Sequence, residues 1–506
     1  MVCVMFNARI YRAAFVPLLL VLVVVGFSLS GRSVPLSSTL APDAFDGAHA
    51  YAELEYLASH FPNRRPGSVG DDELAAHIAA SLRELGGTAA GGFQVSTRSV
   101  QAQTIAGERS LTTVIAQRPG STGESPIVIV AHRDAAATGS AAELSGTAAL
   151  LELARVFSQS ETRRTIVLVS TSGGSGGYAG VADFVANAQR PLDAAIVLGD
   201  IAGNYARKPF VLPFSSSTEV APESLQLTLD GSISQNVGTD PETPGVAARL
   251  AHLVFPLATG EEAPLNTAGV PAVLVQVSGE RGPSPREPVS QKRLEDFGRA
   301  VLSAVYALDE GSDIAQSFSA SAPLGQKQFP QWAIRLLVLA LLLPPLLVCV
   351  DALARLRRRR EHVLRSLVWT VSCALPFLAC ALVAILLGRG GVVAAPAGQL
   401  SARSLSADGS AIAVLVCAAL VLVFALLAWP LCVRALALSV RPTSDGAALA
   451  VMLVLVALAL VVWIFNPFAC LLLVPALNLW LLAVAPSMRR SPLAFVAIAL
   501  SLLPLL

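Results

Sequence analysis

Apolar windows long enough to cross a bilayer, at roughly 20 residues each, stand at both ends of this chain and leave its middle polar. The first covers 13–31, and six more fall at about 334–353, 366–388, 411–432, 447–465, 468–485 and 491–506. A chain divided in this way cannot bury its apolar surface in one water-soluble core. Its composition agrees, since 54% of the 506 residues are hydrophobic and only 14% are charged, with a formal net charge of +1. That is the balance of a membrane protein. The windows define a tip and anchor (1–31), a linker (32–47), a polar domain (48–312), a second linker (313–331) and a C-terminal membrane domain of about six helices (332–506).

Cations give these segments a direction. Arg9 and Arg12 precede the first window, whose apolar run exceeds the roughly 7–15 residues of a signal peptide and so reads as a retained anchor. "RLRRRREHVLR" (355–365) follows the second window, Arg434 and Arg441 the fourth, and Arg489 and Arg490 the sixth, with Arg389 and Arg403 as exceptions between. Basic loops in alternate phase place the N-terminus and those loops in the cytoplasm and the 32–330 segment outside a cell membrane. The arginine run is thus a topology signal, and no nucleic-acid partner is expected. All seven cysteines lie in or beside the membrane segments or before the anchor. The polar domain must therefore cohere without disulfides, which its length allows.

That domain reads as α/β, with a largely parallel sheet covered by helices on both faces. Two helical patterns open it, "AHAYAELEYLASHF" and "DDELAAHIAASLRELGG", the second closed by Gly86 and Gly87. A hairpin-like stretch runs from Phe93 to Gln117, and then strands and helices alternate: "SPIVIVAHRD", "ELSGTAALLELARVF", "RTIVLVSTS", "GYAGVADFVANA", "LDAAIVLGD", "VPAVLVQV" and "QKRLEDFGRAVLSAVYAL". Short Val/Ile/Leu runs between amphipathic helices imply parallel strands buried on both faces. Ligands of such sheets bind at the carboxyl ends of the strands. There stand His132 with Asp134, and Asp200. An imidazole followed two residues later by a carboxylate can be a metal ligand and its orienting partner, and it can equally be a pair of polar residues satisfying a strand end.

From about 48 to 309 the chain resembles peptidase family M-28, the co-catalytic zinc aminopeptidases and their carboxypeptidase relatives. The resemblance rests on "NRRPGSVGDDELAAHIAASLRELG", "AHRDA", "LSGTAALLELAR", "TIVLVSTSGG", "GYAGVADFV", "IVLGDIAG" and "AGVPAVLVQ", which occur in that order and spacing. It implies two zinc ions that share an aspartate, take further His, Asp or Glu ligands, and activate a water whose proton a nearby glutamate accepts.

Carried over position by position, the resemblance gives His132 and Asp200 as metal ligands and Asp134 as the carboxylate that orients His132. The shared aspartate, three residues before Ser145-Gly146, falls on Ala142, with Glu143 beside it. The family's Gly-Glu-Glu, aligned through Gly177, Gly180 and Phe184, falls on Gly173, Gly174 and Ser175. Gly174 thus stands where the proton-accepting glutamate belongs, and Ser175 where a ligand glutamate belongs, so no catalytic residue is carried over. The last ligand histidine falls on Glu262, with Glu261 adjacent, and a carboxylate can bind zinc. The implied cofactor is zinc, bound weakly or not at all. On this alignment, Asp at 142, Glu at 174 and 175, and His at 262 would raise zinc affinity.

"GSGGYA" also fits a Gly-x-Gly-x-x-Ala dinucleotide loop. It follows a complete strand–helix unit instead of opening one and carries no P-loop lysine, so no nucleotide is expected. The reading is of a membrane-anchored aminopeptidase-like domain that has lost catalysis and binds a peptide, a lipid-linked substrate or a membrane-protein partner at the old cleft. The alternative is an active membrane-bound zinc exopeptidase. In order of parts, though not in motifs, the chain also resembles the metal-free peptidase-like subunit of the eukaryotic GPI transamidase and the endoplasmic reticulum metallopeptidases.

Overall fold

The computed structural model describes residues 8–31, 33–86, 92–104, 107–189, 191–205, 207–242, 244–257, 260–279, 282–311, 314, 321–324, 327–360, 363–390, 409–435, 444–484 and 496. The chain enters through α1 (Ala8–Ala13) and α2 (Phe15–Phe27), then a two-residue strand β1 (Ser30–Gly31). The two expected opening helices are α3 (Gly47–His60) and α4 (Val69–Gly86), and the expected hairpin is β2 (Gln94–Thr104) with β3 (Gly107–Arg118).

There follow β4 (Ile127–His132), α5 (Ser145–Gln159), β5 (Ile166–Thr171), α6 (Ala179–Asn187), β6 (Ala194–Leu198), β7 (Phe210–Leu212), α7 (Glu223–Val237), α8 (Val246–Val254), α9 (Glu262–Thr267), β8 (Ala272–Gln276) and α10 (Gln291–Glu310). Strand β7 and helices α7, α8 and α9 have no counterpart among the elements expected from the sequence.

The sheet runs β2-β3-β5-β4-β6-β8-β7. Its centre, β5-β4-β6-β8, is parallel, while the β2–β3 hairpin and β7 add antiparallel edges. Successive side chains of a strand point to opposite faces, and β4 divides accordingly. Ile127, Ile129 and Ala131 join one apolar cluster with Leu54, Leu74, Leu150, Leu229 and Val301 of α3, α4, α5, α7 and α10. Val128 and Val130 join the other, with Val181 of α6 and Leu265 of α9. Each fully buried Val, Leu or Ile contributes about 1.5–3 kcal/mol, so doubly covered strands hold their carboxyl ends rigidly.

The segments that enter and leave this domain are tied together. Strands β9 (Ser321–Leu324) and β10 (Lys327–Pro330) pair with each other, and β10 pairs with β1, so parts of the expected second linker form a small antiparallel sheet. The first linker lies along α7, where the Ser33 amide donates to Glu223 (3.3 Å) and the Leu36 amide to Thr228 Oγ1 (2.9 Å).

The C-terminal apolar portion comprises α11 (Gln331–Arg358), α12 (Val363–Ser372), α13 (Leu375–Arg389), α14 (Gly409–Ala435), α15 (Ser444–Phe465) and α16 (Pro467–Val484). Among the described residues three helices are long and apolar enough to span a bilayer: 9–27, 331–358 and 446–465. The pair α12–α13, bent by 41°, would be a fourth. Shorter apolar helical stretches lie at 415–430 and 467–481. The last expected window, 491–506, lies outside the described residues except for Val496. Prolines inside α11, α14 and α16 are tolerated where neighbouring helices satisfy the freed backbone groups.

Candidate functional site

At the carboxyl ends of the parallel strands, the register sets His132 of β4 beside Thr171 of β5 and Ala131 beside Leu198 of β6. Asp200 follows β6 by two residues. These are the positions at which the sequence placed its metal-ligand candidates, and the fold brings His132, Asp134 and Asp200 to one edge of the sheet.

The glycine-rich loop after β5 has a ligand of its own. Asp134 Oδ1 accepts from the Gly174 amide (2.9 Å), and Oδ2 accepts from the Ser175 amide (2.9 Å) and from the Ser175 hydroxyl. Gly173 and Gly177 take positive φ, as does Tyr178 at the start of α6, and the Tyr178 amide closes the turn on the Gly173 carbonyl at 2.9 Å. Successive amides in such turns form an anion-binding nest. The anion here is the protein's own carboxylate, so these amides are not free to hold a phosphate.

Gly174 is also a point of close approach. A Cβ on it would lie 2.3 Å from His132 Cβ, 2.5 Å from His132 Cγ and 3.2 Å from Glu261 Cδ. The imidazole of His132 therefore packs directly against the loop, and Glu261, from the turn before α9, closes over the same spot. Thr171 Oγ1 donates to Glu261 Oε1 (2.5 Å), while Glu261 Oε2 is buried and has no hydrogen-bond partner among the described residues.

On the β6 side, Asp200 Oδ1 accepts from the amides of Gly203 (2.8 Å) and Ala202 (3.2 Å) and from the Ser145 hydroxyl (3.4 Å). The single Ser145 hydroxyl proton is shared with the nearer Ala142 carbonyl (2.6 Å), and the hydroxyl oxygen accepts from the Ile201 amide (2.9 Å), pinning the start of α5 to the end of β6. Ala142 is fully buried in a short 3-10 turn before α5. Its neighbour Glu143 lies within electrostatic reach of Asp134, Asp200 and Arg64, and its Oε2, like Oδ2 of Asp200, is buried without a hydrogen-bond partner among the described residues. Glu262 is buried at the start of α9, next to Glu261. Burial, with Glu262, Glu261 and Asp134 nearby, raises the Tyr178 hydroxyl's pKa, and Glu262 Oε2 would stand 1.9 Å from a Cβ at Gly260. Among the described residues, no three His, Cys, Asp or Glu side chains are grouped so as to hold a metal ion.

Two buried arginines brace this edge from behind. Arg133 forms an ion pair with Asp71 of α4 (2.8 Å), both side chains being fully buried, and donates to the carbonyls of Thr112 (2.6 Å) and Ser170 (3.2 Å). Arg64 donates to the carbonyls of Arg133 (3.0 Å) and Ser140. Nothing in the sequence patterns marks either arginine as buried.

Burial pushes the carboxyls of Glu143 and Glu261 up to about 8 and that of Asp200 to about 6. It lowers His132, an effect that Asp134 opposes and Arg64 reinforces. Near neutral pH the site thus holds a neutral imidazole, two protonated glutamic acids and an ionised Asp200. The two glutamates keep protons in the folded state that they release near their ordinary value of 4.5 when unfolded. Their stabilising contribution is complete below that value and is lost as pH rises through about 8. The domain's melting temperature should therefore fall between about pH 5 and pH 9. Combining Glu143→Gln with Glu261→Gln should flatten the decline, and an unchanged slope would show that these carboxyls do not titrate as described.

Residues 113–268, from within β3 to the end of α9, match the model of Peptidase family M28. Among solved structures, a zinc aminopeptidase from Bacillus subtilis is 12% identical with a TM-score of 0.42, over 54% of this chain and 98% of that one. LapB from Legionella pneumophila is 17% identical with a TM-score of 0.43, over 56% and 79%. A glutaminyl cyclase from Bacteroides thetaiotaomicron, solved with N-acetylhistamine, is 16% identical with a TM-score of 0.40, over 52% and 98%. No curated protein matches the sequence.

Proposed function

From the peptidase family M28 domain that this chain carries, we propose that its cleft binds a peptide, a lipid-linked substrate or a membrane-protein partner without hydrolysing it. The observation that carries this reading is the contact at Gly174. A Cβ there would lie 2.3 Å from His132 Cβ, so there is no room for a side chain where the family's proton-accepting glutamate belongs. Support comes from Ala142, which offers no oxygen at the position of the shared aspartate, and from the absence, among the described residues, of a grouped set of three metal-ligand side chains. The residues present do not fit a paired-zinc centre. Asp200 Oδ2, without a partner among the described residues, is an acceptor suited to an amino or amide N–H of a bound peptide.

Purified full-length protein should contain far less than one zinc per chain. It should also show no zinc-dependent turnover of N-terminal amino-acid amides, because loss of a general base alone typically lowers rate by about 10²–10⁴. Zinc-dependent hydrolysis that His132→Ala abolishes would replace this reading with the second one, an active membrane-bound exopeptidase. One observation favours that alternative. Glu261 Cδ lies 3.2 Å from where a Gly174 side chain would begin, so another loop brings a carboxyl close to the vacated position. In that case Glu261→Gln would also abolish turnover.

The domain is further proposed to lie outside the cell membrane, with the N-terminus and basic loops in the cytoplasm. In support, the strands flanking α2 and α11 pair with each other beside the α/β domain, while Arg355, Arg357 and Arg358 occupy the opposite end of α11. A reporter fused after Gly238 should read as extracytoplasmic and one after Arg360 as cytoplasmic; the same side for both would overturn the arrangement.

A further inference from the structure

The α/β domain and the membrane helices meet at one built junction. Asn466 sits in the turn between α15 and α16 and serves both neighbours. Its Oδ1 accepts from the amides of Phe468 (3.0 Å) and Ala469 (3.0 Å) at the start of α16, and its Nδ2 donates to the carbonyls of Leu253 (2.8 Å) and Val254 (3.2 Å) at the end of α8. One side chain thereby satisfies terminal backbone groups of two helices that are otherwise without intrahelical partners. Leu253 and Val254 are buried in the same apolar cluster as Val338, Phe468 and Cys470 of the membrane helices. The opposite side of α8 is held by the domain, where His252 stacks on Phe214 with ring centroids 3.8 Å apart.

Immediately beyond this junction the chain turns back on itself. The Leu257 amide donates to the Phe255 carbonyl (2.7 Å), and His252 Nδ1 lies 3.1 Å from the Leu257 carbonyl. The turn so fixed presents two large apolar side chains outward, Phe255 at 57% and Leu257 at 58% exposure. It adjoins the α15–α16 turn, where Phe465 is 78% exposed, and Trp463 Nε1 donates to the Arg335 carbonyl near the start of α11 (2.9 Å). Trp332, at the start of α11, is 52% exposed. Aromatic side chains gathered at the ends of spanning helices mark the boundary between headgroups and acyl chains.

We propose that Phe255 and Leu257 form a wedge that seats the α/β domain in the outer boundary of the bilayer spanned by its own helices. The occupant of this apolar surface is lipid, because the surface continues an interface with helices that lipid surrounds and lies beside the turn between two of them. Burial in the interfacial layer removes both side chains from water without another protein.

The test uses the full chain in phospholipid nanodiscs, with Phe255→Trp and Leu257→Trp made separately and Val69→Trp as the comparison. Val69 is 74% exposed on α4, which packs against α5, β2 and β3. Emission from the five native tryptophans is subtracted using the parent protein. With acyl chains brominated near the headgroup, the emission added at 255 and at 257 should be mostly lost, while that added at 69 should persist. Added emission at 255 and 257 that resists brominated lipid and is quenched by aqueous acrylamide would overturn the proposal and leave this surface for a protein partner.

Discussion

Asp71→Ala should destabilise the α/β domain by about 3–5 kcal/mol, the usual cost of stranding one partner of a buried ion pair. The Asp71 and Arg133 side chains are both fully buried and 2.8 Å apart, so removing the carboxylate leaves a buried cation without its counter-charge. The loss extends further, because Asp71 Oδ2 also accepts from the Ser172 hydroxyl (2.5 Å) and the Gly67 amide (2.9 Å). Those contacts hold the loop after β5 and the turn before α4, the two segments that flank His132. Asp71→Asn keeps the shape and part of the hydrogen bonding, and should cost less. All five tryptophans lie at or beyond position 332 and do not report on this domain. The measurement is therefore amide exchange in β4 and β5, whose slowest amides report global opening. Protection unchanged in Asp71→Ala would mean that Arg133 finds its compensation in the Thr112 and Ser170 carbonyls alone.

Gly174→Ala should destabilise the same domain by about 2–3 kcal/mol, near the upper end for overpacking. The new methyl would meet His132 at Cβ and Cγ, at 2.3 and 2.5 Å, where no rotation of the imidazole can relieve it. Either β4 or the loop must move, and moving the loop pulls the Gly174 amide from Asp134. The physical test of this cause is Gly174→Ala combined with His132→Gly, which should recover part of the loss relative to the two single changes added together. Full additivity would place the strain elsewhere. The same geometry bears on the expectation that Asp at 142, Glu at 174 and 175, and His at 262 would together raise zinc affinity. A side chain at 174 must first displace His132 or the loop, and one at 175 replaces a hydroxyl that Asp134 already holds.

Periodicity along the chain was enough to determine the elements whose burial is locally written. In β4, β5, β6 and β8, runs of Val, Ile, Leu and Ala are buried on both faces, and such runs read as central strands wherever they occur. The hairpin, α3, α4, α5 and the apolar helices at both ends followed for the same reason, and ordered motif blocks were enough for the peptidase family M28 resemblance. Helix α7 was legible only faintly: Leu225, Leu229 and Ile233 keep helical spacing, but Gly231 and several hydroxyl residues dilute the pattern. Strand β7, three residues bounded by prolines 209 and 213, carries too little chain for any period to show.

The site itself was decided by tertiary structure, because its contacts join residues with no common period. The glycine loop's ligand, Asp134, is 40 residues from Gly174, and Glu261 reaches Thr171 across 90. The sequence could show that carboxylates were missing at 142, 174 and 175. Only the packed chain could show that His132 had filled the space at 174, that Glu143 and Glu261 lie buried near the strand ends, and that Glu262 lies near Tyr178 and Gly260. Asn466 meets α8 across more than 200 residues for the same reason. A single amide that caps two helix ends leaves no pattern in either helix, and its partners are set by how the two halves of the chain come to rest against each other.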